Sequence, residues 1–266
     1  MSQSGNFLHD LMLAFRRWRV WSYLAVNDLK VRYARSRFGF AWIFISFAVW
    51  AAGVGFLYGR LFEIELREFV PFLTIGFAAW GFITGTMVDC GGALISAAGY
   101  VKQFNQPKQI YVWRSFATQV MSFSLSLLVC GAVLAIFGRL SIAGVACALP
   151  GLALLVAAGA GHAFLFSYLT PFFRDLPYAL SSALNVVFFV TPIIFTPALL
   201  AKRGLDSFYL FNPFYYLIEV VRAPLMTGVL PHWMTLAGAA AYVLVLGVVA
   251  FGVVCKALDR RIVYAL

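Results

Sequence analysis

Apolar residues fill six long runs of this chain, and nearly every charge falls between them. The runs cover residues 38–58, 69–100, 115–138, 142–173, 177–201 and 233–255. Each is long enough to cross a hydrocarbon core of roughly 30 Å as a helix. A soluble core helix keeps one polar face, whereas these runs stay apolar around their whole circumference. The pattern predicts an all-α polytopic membrane protein with six transmembrane helices, at about 38–58, 69–99, 113–138, 142–172, 177–197 and 233–256.

Two stretches break the pattern. Residues 1–36, ahead of a transmembrane domain over 37–266, carry Leu8, Leu11, Phe15, Trp18 and Ala25 at helical spacing. Arg16, Arg17 and Arg19 crowd their middle, and Trp18, Trp21 and Tyr23 suit headgroup depth. That mixture predicts an N-terminal helix lying in the membrane interface, along which Asp28 and Arg32 stand four apart. Residues 198–231 hold Pro213, Pro224, Pro231, Glu219 and Arg222. A seventh span there would put prolines and both charges in lipid. The segment is therefore expected to form an outer re-entrant helix pair between spans 5 and 6. An exposed pair within one helix contributes only about 0.3–0.5 kcal/mol. At least one of Glu219 and Arg222 should thus be buried, against the first or fifth span.

Composition sharpens the class. Of 266 residues, 63% are hydrophobic and 11% charged, against about 25% charged in a soluble domain. In a soluble protein the net charge of +10 would suggest nucleic acid. Here membrane orientation explains it. With the N-terminus inside, fourteen of the 20 Lys and Arg fall on the cytoplasmic side and six outside, which predicts both termini inside. Cys90, Cys130, Cys147 and Cys255 form no CxxC or CxxH pair, so neither a disulfide framework nor zinc is indicated.

Enzymatic machinery is missing from the sequence. It contains no GxxxxGK[ST] and no Gly-Lys pair, so no Walker A phosphate cradle can form. His9, His162 and His232 stand far apart from one another. Asp89 is the lone acid inside a span. Beside it, CGGALISAAG permits close helix approach, so a helix–helix hydrogen bond is its expected role. No catalytic residue and no metal ligand set is assigned.

The aromatic positions point elsewhere. Phe40, Phe44, Phe47 and Tyr58 share one face of the first span, and Ser181, Asn185, Phe188, Pro192 and Phe195 share one of the fifth. Sugar rings pack their C–H faces on aromatics and need donors and acceptors for their hydroxyls, so such faces suit a glycan channel. The alternative is that the rings pack on neighbouring helices or lipid. The loop 100–114 carries Lys102, Phe104 and Lys108 without any acid. It is either a connector or a docking element for a soluble partner.

Three segments resemble the ABC-2-type membrane subunits of polysaccharide, O-antigen, capsule and teichoic acid exporters. They are LAVNDLKVRYARSRFGFAWIF (24–44), FFRDLPYALSSALNVVFFVTPIIF (172–195) and NPFYYLIEVVRAPL (212–225). The span arrangement is similar as well. Phe38 replaces the family's Leu before Gly39, and the Pro often found early in the first span is absent. The resemblance implies a permease of an ATP-driven exporter moving a lipid-linked glycan across a bacterial inner membrane. It implies a homodimer with two copies of a separate ABC ATPase, which holds the ATP and Mg; this chain would bind no cofactor. Arg35, Arg37, Phe38 and Gly39 would form the cytoplasmic entrance. Lys102, Phe104 and Lys108 would dock the ATPase, and Asn212, Pro213, Glu219 and Arg222 would form the outer gate. An ABC-2 exporter of small amphiphiles shares this architecture. A membrane-embedded glycosyl- or phosphotransferase would need clustered acids or histidines.

Overall fold

The computed structural model describes residues 7–34, 41–103, 106–204 and 206–266, and those residues are all-helical, with no strand among them. Helices α1 (Phe7–Arg16) and α2 (Trp18–Ala34) precede α3 (Ala41–Leu61) and α4 (Leu66–Val88). A single 3-10 turn, Cys90–Gly92, leads into the short α5 (Ala93–Ser96) and α6 (Ala98–Gln103). Then come α7 (Gln109–Ile136), α8 (Ile142–Leu169), α9 (Leu176–Val190), α10 (Pro197–Ala201), α11 (Asp206–Leu210), α12 (Pro213–Thr227) and α13 (Trp233–Gly247). The last of these runs on through a π-helical stretch, Val248–Cys255.

Four helical stretches among the described residues are long and apolar enough to cross a membrane: Leu66–Ser96, Gln109–Ile136, Ile142–Leu169 and Trp233–Leu258. Two shorter apolar helices are Ile45–Leu61, within α3, and Leu176–Val190. Two apolar runs are thus less continuous than their composition suggests. The run 69–100 tightens after Val88, where Gly91 and Gly92 weaken regular helix. The run 177–201 stops at Val190 because Pro192 holds Thr191 extended, at φ −85° and ψ 131°.

Helix α8 is the hub, because glycines let three neighbours approach it. A Cβ on Gly151 would lie 2.2 Å from the Val220 carbonyl oxygen of α12. One on Gly159 would meet Phe82 of α4, and one on Gly161 would meet Leu246 of α13, at 2.6 and 2.8 Å. Small residues at helix interfaces give van der Waals contact where the hydrophobic effect gives little.

Depth along α4 and α8 shows how α12 lies. Its first turn sits beside Trp80 and His162, with Phe214 ring centroids 5.8 and 6.4 Å from theirs. Its last turn reaches the beginning of α8, where Gly144 faces the Pro224 and Leu225 carbonyls. Arg67 at the start of α4 donates to the Phe137 carbonyl just past α7, marking the same end of the bundle.

The N-terminal segment forms two helices rather than one, hinged at Arg17. It packs on α7 through Phe15 and Trp21, both against Trp113 at 5.4 and 6.0 Å. Asp28 does not pair with Arg32. It takes both arms of Arg114 on α7, with Nε donating at 2.6 Å. An in-register partner on another helix fixes the element more firmly than a neighbour on its own surface. Arg17 also bonds Gln106, while Asp259 meets Lys108. Both described ends of the chain therefore gather at the end of the bundle where α7 begins.

Candidate functional site

Helix α4 gathers the aromatic residues of four other helices, α3, α7, α9 and α12. Phe77 packs on Trp50 of α3 at 5.1 Å and stacks on Phe188 of α9 at 5.7 Å. Trp80, one turn on, meets Phe188 at 5.9 Å. A cavity of about 410 Å³ opens between α3, α4 and α7, lined by Phe47, Trp50, Phe77, Trp80, Phe123 and Ser126. A second, of about 340 Å³, lies between α4 and α9, lined by Trp80, Thr84, Asp89, Gln119, Ser181 and Asn185.

Phe47, Ser181, Asn185 and Phe188 are thus brought together around Trp80. Tyr58 stands apart, against Phe62 at 5.5 Å, near a smaller apolar cluster of Phe69, Leu73 and Ile194. Phe40 lies outside the described residues, as do the entrance residues Arg35, Arg37, Phe38 and Gly39; the Phe44 side chain is likewise not described. The sequence pattern did not single out Trp80 or Gln119, since neither breaks the apolar run around it. Asp89 was the available signal.

Asp89 accepts a 2.8 Å hydrogen bond on Oδ2 from Gln119 Nε2 of α7. Gly85, one turn before Asp89, makes room: a Cβ there would lie 2.6 Å from Gln119 Oε1. His162 shares a 2.7 Å hydrogen bond with Tyr242 and is buried. Among the described residues no three His, Cys, Asp or Glu gather as a metal ligand set.

The four expected gate residues form one connected group. Arg222 is 1% exposed. Its Nε donates to Glu219 at 2.9 Å, and its Nη1 donates to the Pro192 carbonyl at 2.8 Å. The guanidinium sits 3.8 Å above the Phe72 ring of α4, a cation–π contact strengthened by desolvation. Asn212 caps α12 by accepting from the Phe214 N–H, and its amide donates to Thr191 Oγ1 at 2.7 Å. Pro213 is the first residue of α12, where its missing N–H costs nothing. Burial was expected against the first or fifth span. The Pro192 carbonyl belongs to residues 177–197, expected as the fifth span, so that contact falls where it was expected, and the Phe72 contact adds α4. The carbonyl is free to accept because α9 ends at Val190.

At the other end, three donors converge on Asp259 Oδ1. Lys108 Nζ lies at 3.0 Å, Gln109 Nε2 at 3.2 Å and Tyr168 OH at 2.8 Å. Lys108 and Asp259 are 13% and 7% exposed in their side chains. Lys108 therefore does not offer its charge to a partner's surface, as a docking cation would. Lys102, on α6, is exposed, and Phe104 lies outside the described residues.

No family model matches the chain. Two curated proteins from Klebsiella pneumoniae are similar to it, both described as O-antigen export system permease protein RfbA. They are 23% identical over 233 and 237 residues, which is 87% of this chain and 86% of each relative. The similarity runs through nearly the whole chain, and it supports the resemblance to ABC-2-type permeases carried by residues 24–44, 172–195 and 212–225.

Proposed function

We propose that this chain is the membrane-spanning permease subunit of an ATP-driven exporter that moves a lipid-linked polysaccharide out of the cytoplasm across the inner membrane. The observation that carries the reading is the similarity to two O-antigen export permeases over 87% of the chain. The cavities along α4 agree with it chemically. Aromatic rings with sparse hydroxyls, amides and one carboxylate let sugar rings slide without holding them tightly.

In this reading α3, α4, α7, α8, α9 and α13 are the six spans, and both termini are cytoplasmic. The gathering of both described ends where α7 begins supports an even number of crossings. Segment α11–α12 is the re-entrant pair, descending to Asn212 at the depth of Thr191 and rising beside α8. Two copies of the chain form the channel. Arg35, Arg37, Phe38 and Gly39 receive the glycan, whose phosphate suits arginine.

Two ATPase subunits, holding ATP and Mg, dock on the loop around Lys102 and Phe104. Lys108 turns inward and links that loop to Asp259 and Tyr168, hence to α8. Helix α8 contacts α12 without intervening side chains at Gly151, and α12 carries Arg222. Movement at the docking loop thereby reaches the outer gate through packed elements.

Deleting the chain from cells that carry it tests the reading. Lipid-linked polysaccharide should accumulate on the cytoplasmic face and vanish from the surface. Normal surface polysaccharide in the deletion strain, or loss of only a small amphiphile from the medium, would overturn it.

A further inference from the structure

A third cavity, of about 330 Å³, lies between α2, α5–α6 and the first turns of α7. Its wall is polar where the first cavity is aromatic: Asp28, Arg32, Asp89, Tyr100, Tyr111 and Gln119 contribute to it. We propose that it binds a single neutral sugar unit, with the Asp89–Gln119 hydrogen bond as the latch between this vestibule and the aromatic cavities. The proposal rests on the glycan-export reading and adds a site within one protomer to it.

Charge argues for a neutral, hydroxylated ligand. Asp28 and Arg114 neutralise each other through two hydrogen bonds. Of the remaining pair, Asp89 and Arg32, one charge offsets the other, so the cavity has no net field to select a polyanion. Volume argues for one unit, since about 330 Å³ is at the small end of ligand sites, which run roughly 300–1,000 Å³. Tyr100 and Tyr111 stack at 6.2 Å and Tyr100 is exposed, giving a flat apolar surface for a sugar's C–H face.

The latch follows from what a hydroxyl can do. Gln119 lines all three cavities, and Asp89 lines this one and the cavity beside Ser181. Their bond uses Gln119 Nε2 and Asp89 Oδ2. A hydroxyl donates to a carboxylate and accepts from an amide at once, so a sugar hydroxyl inserts between them with each group still satisfied. An ionised phosphate has no proton for Asp89 and is repelled by it. A passing sugar can therefore part α4 from α7 at this point, and the bond re-forms behind it.

The test uses the full chain with its ATPase partner in lipid nanodiscs, carrying Ser96→Cys on the cavity wall. The rate of thiol modification is read with and without delipidated polysaccharide purified from the surface of the source cells. Polysaccharide should slow modification at position 96, and Asp89→Ala should weaken that protection about tenfold, the loss of one hydrogen bond to a charged group. Tyr100→Ala, at an exposed ring, should weaken it too and serves if Asp89→Ala does not fold. Protection by inorganic phosphate but not by polysaccharide would replace the proposal with an anion site. Equal rates with and without polysaccharide, in complexes that still move glycan when placed in liposomes, would refute the vestibule and leave the export reading standing. Complexes that move no glycan would count against the export reading itself.

Discussion

Lys108 Nζ lies 3.0 Å from Asp259 Oδ1, joining residues 151 positions apart where the chain enters α7. Tyr168 and Gln109 donate to the same oxygen. Removing the carboxylate strands a buried ammonium and two donors, a change that costs about 3–5 kcal/mol for a buried pair broken from one side. Asp259→Ala should therefore lower the melting temperature in detergent by many degrees, and Asp259→Asn by less. Lys108→Met combined with Asp259→Asn should recover part of the loss. An unchanged melting temperature for Asp259→Ala would mean the cluster contributes no stability.

Arg222 should behave similarly at the opposite end. Arg222→Met leaves Glu219 and the Pro192 carbonyl without their donor. The variant is expected to insert, to unfold more readily, and to leak or stall export. Adding Glu219→Gln should restore part of the function. Normal export by Arg222→Met and by Glu219→Gln alone, measured as surface glycan, would reduce the pair to a packing feature and place the gate elsewhere.

The contact of α8 with α12 gives a sharper steric expectation. Gly151→Ala puts a methyl 2.2 Å from the Val220 carbonyl, and overpacking of this kind costs about 1–3 kcal/mol. Gly131→Ala on α7 has no neighbour within 4 Å and should be neutral or slightly stabilising, as Ala is the better helix former. Thermal unfolding of both variants compares them directly. Equal midpoints would show that α8 and α12 do not pack this closely.

Topology is open to cysteine labelling from outside the cell. Probes at Glu65 and Lys202 should react, and probes at Lys102 and Arg261 should not. Labelling at position 261 would add a crossing and remove the re-entrant reading of α11–α12.

The helical membrane class was legible because a run such as 142–173 has no polar face to offer water. For the same reason the sequence could not show which way Trp80 or Phe77 points: a helix apolar on all sides carries no orientation signal. Burial of at least one of Glu219 and Arg222 was legible because an exposed pair in lipid is too weak to hold two charges there. The particular carbonyl that Arg222 bonds and its contact with Phe72 were not, since the Pro192 carbonyl is free only once α9 has unwound. Lys108 read as a surface cation because its neutralising acid stands at the far end of the chain. Asp28 was assigned to its own helix for want of any hint that Arg114 would face it.

Transport in a purified system tests the central claim most directly. The chain and its ATPase partner would be placed in liposomes with the ATPase outward, and labelled lipid-linked polysaccharide added. The account predicts that ATP moves the label into the lumen, beyond reach of an added glycosidase, and that a hydrolysis-dead partner moves none. ATP hydrolysis by the complex with all of the glycan still digestible would contradict it.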